Sequence, residues 1–299
     1  MKKQNTLKPA QKQNRTYKDS LFVDLFAKCP EAKENFLSLY NALHGTSLIL
    51  SETKIEPLLL EQTVYTGRYN DVSMLVNGRI IVLAEQQSTI NENMPFRFLE
   101  YVSRLYEKII PLERRYEHHL VSLPSPEFYV FYNGDKDYPA EKTLRLSDAF
   151  DSEKKQNFPL ELCAKVYNIN KRSDAAVLQV TGNCAPLSGY AKLTEYAREA
   201  KKQGREDFLD YAVQRCIKEG ILSDYLKRNS TEVRNMLIGE YDYDTDIRVQ
   251  RMESAEETKI ETARNLLEMN LSPENIAKAT NLPLERVLEI QKESKLVKA

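Results

Sequence analysis

The chain has 299 residues, 41% hydrophobic and 29% charged, enough to bury a sizeable core in one large domain or two of ordinary size. Its 43 basic and 44 acidic groups leave a net charge of -1, so a polyanion-binding surface must come from local clustering. No apolar run approaches the ~20 residues of a membrane-spanning helix, which excludes a membrane protein. Four scattered cysteines form no C-x-x-C pair, and with only three histidines (His44, His118 and His119) zinc or triad chemistry is poorly supplied. Catalysis, where it occurs, leans on carboxylates. The basic N-terminus lacks an apolar h-region, so a cytoplasmic address with reduced thiols is expected.

In chain order, residues 1–18 carry six basic groups and no acid, which reads as a flexible basic arm. Leu21, Phe22, Leu25 and Phe26 form the apolar stripe of a helix, and Phe36, Leu39, Tyr40 and Leu43 that of a second, closed by Gly45. From Glu56 the runs become strand-like: Val64 and Tyr65, then residues 71–76, then 80–84. Asn77-Gly78 between the last two predicts a hairpin, because both residues tolerate positive φ. An amphipathic helix is expected over 95–110, and a strand over 127–132 stopped by Asn133-Gly134. Tyr101 and Tyr106 on that helix read as core residues. Beyond Ser188 the pattern is helical over roughly 190–203, 206–219, 221–228, 230–238 and 253–269, with Gly204, Gly220 and Gly239 as punctuation.

The chemistry-bearing positions cluster on the hairpin. Glu85 and Gln87 alternate on one face at the end of the second strand, and Asp71 opens the first strand at the same end. Register decides whether they meet. A strict two-residue turn sets Asp71 opposite Ala84 and Glu85 on the other face, whereas a three-residue loop with a bulge pairs Asp71 with Glu85 and Tyr69 with Gln87. A shared site needs that odd register, or another bulge or bend nearby. Facing carboxylates repel unless a cation lies between them, and Mg²⁺ takes such oxygen ligands together with water and substrate phosphate.

The stretches Tyr65-Thr-Gly-Arg-Tyr-Asn-Asp-Val-Ser-Met-Leu-Val76, Ile81-Val-Leu-Ala-Glu-Gln-Gln-Ser-Thr89 and Met94-Pro-Phe-Arg-Phe-Leu-Glu-Tyr101 resemble the recombination-promoting nuclease and putative transposase family, of the PD-(D/E)xK nuclease superfamily. Tyr17-Lys-Asp-Ser-Leu-Phe22, Phe131-Tyr-Asn-Gly134 and Cys216-Ile-Lys-Glu-Gly-Ile-Leu222 extend the resemblance over most of the chain. It implies a metal-dependent DNA endonuclease, with Mg²⁺ as cofactor and Mn²⁺ as substitute, linked to transposition, recombination or defence. The implied fold is α/β: a restriction-endonuclease-like core, a mixed sheet flanked by helices, followed by an α-helical C-terminal region. Asp71 and Glu85 are then the metal-binding acids. Gln87 stands where the superfamily has Lys, and a neutral amide orients water or phosphate without supplying positive charge. Asp19 matches the acid of the family's N-terminal helix motif and reads either as a third acid near the metal or as a helix-dipole acid. Arg97 resembles the family's Met-Pro-x-Arg position and reads as a phosphate contact or as an ion pair with Glu61 or Glu100.

Asp242, Asp244, Asp246 and Glu253 have the spacing of a calcium loop, but Ile247 stands where Gly is needed, so a solvated acidic loop is expected instead. Residues 271–288 resemble a helix-turn-helix with Ile276, Ala277, Leu282, Val287 and Leu288 as its core. Residues 255–299 hold seven basic and eight acidic groups, a poor clamp on phosphates. The expected division is an arm over 1–18, a nuclease core over 19–190, a helical region over 191–252 and a helix-turn-helix-like tail over 253–299. DNA is the expected partner, with no membrane contact, and two cuts on a duplex would favour a homodimer. The competing expectation is a catalytically inactive DNA- or protein-binding module on a nuclease-like fold.

Overall fold

The computed structural model describes residues 20–58, 71–86, 91–134, 136–150, 159–269 and 271–297; of residues 71, 83–86, 239–254, 257, 268 and 292–297 it describes the backbone alone. The basic arm, the strand expected at Val64 and Tyr65, and Asp19, Glu61 and Gln87 lie outside these residues.

Among the described residues six strands, β1 (Ile55–Pro57), β2 (Asp71–Val76), β3 (Arg79–Gln86), β4 (Ser125–Tyr132), β5 (Glu141–Arg145) and β6 (Cys163–Asn168), form one mixed sheet in the order β1-β2-β3-β4-β6-β5. β1, β2 and β3 are antiparallel, β3, β4 and β6 run parallel, and β5 closes the far edge antiparallel to β6. Both faces are covered, as parallel central strands require.

On one face lie Ile80, Val82, Phe128, Val130 and Val166, covered by Phe98, Val102 and Leu105 of a helix. This is α3 (Met94–Ile109), following α1 (Leu21–Val23) and α2 (Ala32–His44); Phe98 stacks on Phe128 at 5.0 Å. Tyr101 and Tyr106 pack against this core, and each hydroxyl is satisfied, by Ser73 Oγ at 2.9 Å and by the Pro124 carbonyl at 2.6 Å. The opposite face carries Tyr129 and Phe131. Phe22 of α1 packs on Phe131 at 5.7 Å and on Tyr190 at 5.9 Å. Tyr190 belongs to α6 (Ala185–Lys202), which follows the short α4 (Leu112–Arg115) and α5 (Ala175–Gly182).

Ser20 caps α1 by accepting from the Val23 amide, and the helix continues as a wider π-helical turn over Asp24–Lys28. Gly45 ends α2 at φ 63°, the left-handed conformation that the sequence assigns to it. Cys29, Cys184 and Cys216 are buried free thiols; burial pushes the first two up to about 11 and the third to about 12, so they stay protonated at neutral pH.

The remaining helices are α7 (Phe208–Lys218), α8 (Ser223–Arg228), α9 (Ser230–Glu268), α10 (Pro273–Thr280) and α11 (Leu284–Val297). The chain divides at Gly239/Glu240 into two compact units. Helix α9 corrects two expectations: Gly239 does not interrupt it, and residues 242–253 are helical rather than an acidic loop. A single Gly costs a helix only about 1 kcal/mol, too little to break a helix of 39 residues. In the second unit Ala263, Ile276, Leu282, Val287 and Ile290 form a small core. Leu288 is 38% exposed and Ile290 takes the place expected for it. The α/β architecture with a helical C-terminal region agrees with the sequence reading. No helix of the described residues is long and apolar enough to cross a membrane.

Candidate active site at the ends of the central strands

The turn between β2 and β3 has two residues, Asn77 at φ 46° and Gly78 at φ 82°. Val76 therefore pairs with Arg79 and Asp71 with Ala84. The start of β1 reinforces this register. Asn77 donates its amide to the Lys54 carbonyl at 3.2 Å and accepts the Lys54 amide on Oδ1 at 3.2 Å. Of the two registers open in the sequence, the odd one that pairs Asp71 with Glu85 is not adopted.

Asp71 and Glu85 nonetheless stand at one end of the sheet, on neighbouring strands and one register step apart. Asp71 is the first residue of β2, and Glu85 is the last but one of β3, paired with Phe131. In strand alternation position 71 goes with Ser73, on the α3 face, and position 85 goes with Ile81, on the face of Phe131 and Phe22. Ser20, the neighbour of Asp19, opens the helix whose Phe22 covers Phe131. Arg97 lies in the first turns of α3, exposed, with Nη1 3.5 Å from Met94 Sδ. It makes no ion pair with Glu100 or any other described residue. Asp71 and Glu85 thus stand at one sheet end without being brought onto one face.

At the same end the structure adds a polar network that sequence reasoning missed. Asn133 follows β4, and its side chain donates to Thr194 Oγ1 of α6 at 3.0 Å. Arg198, one turn further along α6, donates Nη2 to the Asn133 carbonyl at 2.9 Å and also to Asn133 Oδ1. Its Nη1 reaches Asn170 Oδ1 beyond β6 at 2.9 Å. One guanidinium therefore ties together the carboxyl ends of two parallel strands. Asn133-Gly134 reads locally as a strand stop, and nothing local announces that a helix 61 residues later returns to it.

At the opposite end of β4 lies a second polar cluster. Glu127 accepts from Arg79 at 2.7 Å and from the Tyr129 hydroxyl at 2.8 Å, and lies 2.6 Å from His44 Nε2. Burial alone would raise its carboxyl, but the hydrogen bonds from Tyr129, Arg79 and His44 together hold it below the usual carboxylate range. The Tyr129 phenol is pushed far up, by burial and by that carboxylate. This group braces α2 against the sheet, remote from the acidic positions.

No group of three or more His, Cys, Asp or Glu side chains suited to a metal occurs among the described residues. Neither a curated protein nor a solved structure matches the chain. Residues 63–184 match the family described as "Putative transposase, YhgA-like". That segment carries β2 to β6, with Asp71, Glu85 and Arg97.

Proposed function

We propose that the chain is a metal-dependent endonuclease that cleaves DNA phosphodiesters, serving transposition, recombination or defence against foreign DNA. The observation that carries the reading is the convergence of Asp71 and Glu85 on neighbouring strands at one sheet end, inside the family-matched segment. In open α/β sheets, ligands bind at the carboxyl ends of the strands, where Glu85 stands.

Two carboxylates suit Mg²⁺, with Mn²⁺ as substitute, and Asp71 and Glu85 would hold the ion. The fit has one condition: since Asp71 pairs with Ala84, ligation by both acids requires β2 to bend at Asp71, its first paired residue. When bound, such an ion polarises a phosphoryl oxygen and makes bound water more acidic. The chain's own contributions are positional. By the family resemblance, Gln87 would orient water or phosphate through its amide, Arg97 would meet a phosphate, and Asp19 would serve as a third acid. A homodimer would supply the two sites that cutting both strands requires.

The even register also favours a second reading, a DNA- or protein-binding module whose acidic pair no longer forms a metal site. Calorimetric titration with Mg²⁺ separates the two. A nuclease site predicts binding that weakens at least tenfold in Asp71→Ala and in Glu85→Ala. Equal binding in all three proteins, or none by folded wild type, favours the second reading.

A further inference from the structure

Beside α6, just past the carboxyl end of β6, lies a cavity of about 210 Å³ lined by Asn170, Arg172, Glu195, Arg198, Glu199 and Lys202. Three of these side chains are cations. Arg198 and Lys202 lie four residues apart on one face of α6, and Arg198 is fixed by Asn133 and Asn170. Arg172 enters from the turn after β6 and pairs with Glu195, while its Nη1 is buried with no hydrogen-bond acceptor among the described residues. Glu199 is drawn away toward Arg215 at 3.7 Å. Lys202 is exposed at the end of α6 and makes no ion pair among the described residues. The lining thus holds three cations against two carboxylates, with Glu195 paired inside the cavity to Arg172 and Glu199 paired outside it to Arg215, so the balance is positive by a single charge.

We propose that this cavity is a subsite for one backbone phosphate of a DNA strand, held by Lys202, Arg198 and Arg172. The proposal rests on the reading above and adds to it the residues that anchor the strand beside the acidic positions. The cavity is smaller than the roughly 300–1,000 Å³ of sites for whole organic ligands, and guanidinium forks beside an ammonium suit a phosphate. Its place suits the same strand. Asn133, which Arg198 grips, is one strand over and two residues beyond Glu85's partner Phe131, about 8 Å away by strand dimensions. Phosphates of one strand advance about 3.4 Å per nucleotide along the helix axis, so the two positions are a few nucleotides apart.

The test is fluorescence anisotropy of a short labelled DNA duplex with the full chain in EDTA, titrated with salt, which reads binding without cleavage. Lys202→Gln is expected to weaken binding several-fold at low salt and to lower the slope of log affinity against log salt by about one. Lys202→Arg should keep the wild-type slope, as should Lys218→Gln, an exposed lysine outside the cavity. An unchanged slope in Lys202→Gln, an equal loss in Lys218→Gln, or no DNA binding by wild type would overturn the proposal. Plasmid nicking with Mg²⁺ on the same proteins reads the nuclease function separately. A lowered slope without nicking by wild type leaves the subsite standing and removes the nuclease, whereas nicking with an unchanged slope removes the subsite alone.

Discussion

At the residue scale, Glu127 shows how a half-buried carboxylate is kept charged. Its side chain is 20% exposed and accepts from Arg79 on Oε1 and from Tyr129 on Oε2, the oxygen that His44 Nε2 also meets. None of this is legible locally: His44 stands alone in the sequence, and Glu127 lies 83 residues downstream. Because the folded carboxyl is held below its ordinary value of 4.5, its stabilisation is fully present above that value. It is lost as pH falls through the folded value. Glu127→Gln should therefore destabilise the chain by about 1.5–3 kcal/mol at neutral pH, the usual worth of hydrogen bonds to a charged group. Urea unfolding should show the gap between wild type and variant shrinking below pH 4.5. A gap independent of pH would show that the charge is not what stabilises. The candidate site behaves differently in sequence: Asp71, Glu85 and Gln87 stand out because polar residues border apolar strands, and that signal is local.

At the scale of elements, the β2–β3 hairpin shows what local chemistry settles and what it leaves open. Asn77-Gly78 marks the turn, but two-residue and three-residue loops both accept those residues. The two-residue turn that forms is accompanied by a tertiary contact, the paired bonds between Lys54 and Asn77. A second junction of this kind joins α6 to α8. Leu222 adopts φ 48°, uncommon for a branched aliphatic residue, and its side chain lies over Gly189 of α6. A Cβ at 189 would stand 2.6 Å from Leu222 Cγ. Gly189→Ala is thus expected to cost about 1–3 kcal/mol through overpacking. Combined with Leu222→Gly, which removes the obstructing side chain, the cost should fall short of the sum of the two single changes by more than about 0.5 kcal/mol. Additive costs in urea unfolding would show that the contact is not the reason for glycine at 189.

For the whole molecule, the element types and the α/β order follow from periodicity, because apolar spacing changes from 3.6 to 2 and back along the chain. The continuous α9 does not, since residues 239–253 have a glycine and spaced acids that read as a break, and only the uninterrupted backbone shows otherwise. The network of Asn133, Thr194, Arg198 and Asn170 is also invisible in sequence, because it forms where a later helix docks on strand ends. Whether this sheet end cleaves DNA is read from nicking of supercoiled plasmid by the purified full chain. Wild type and Glu85→Ala are compared with Mg²⁺, with Mn²⁺ and with EDTA, after circular dichroism has shown both to be folded. Wild type is expected to nick with either metal and not in EDTA, and Glu85→Ala to lose at least about a hundredfold, in line with removing a principal group that stabilises charge in the transition state. Equal inertness of the two folded proteins under every metal, or equal nicking by both, would contradict the nuclease reading.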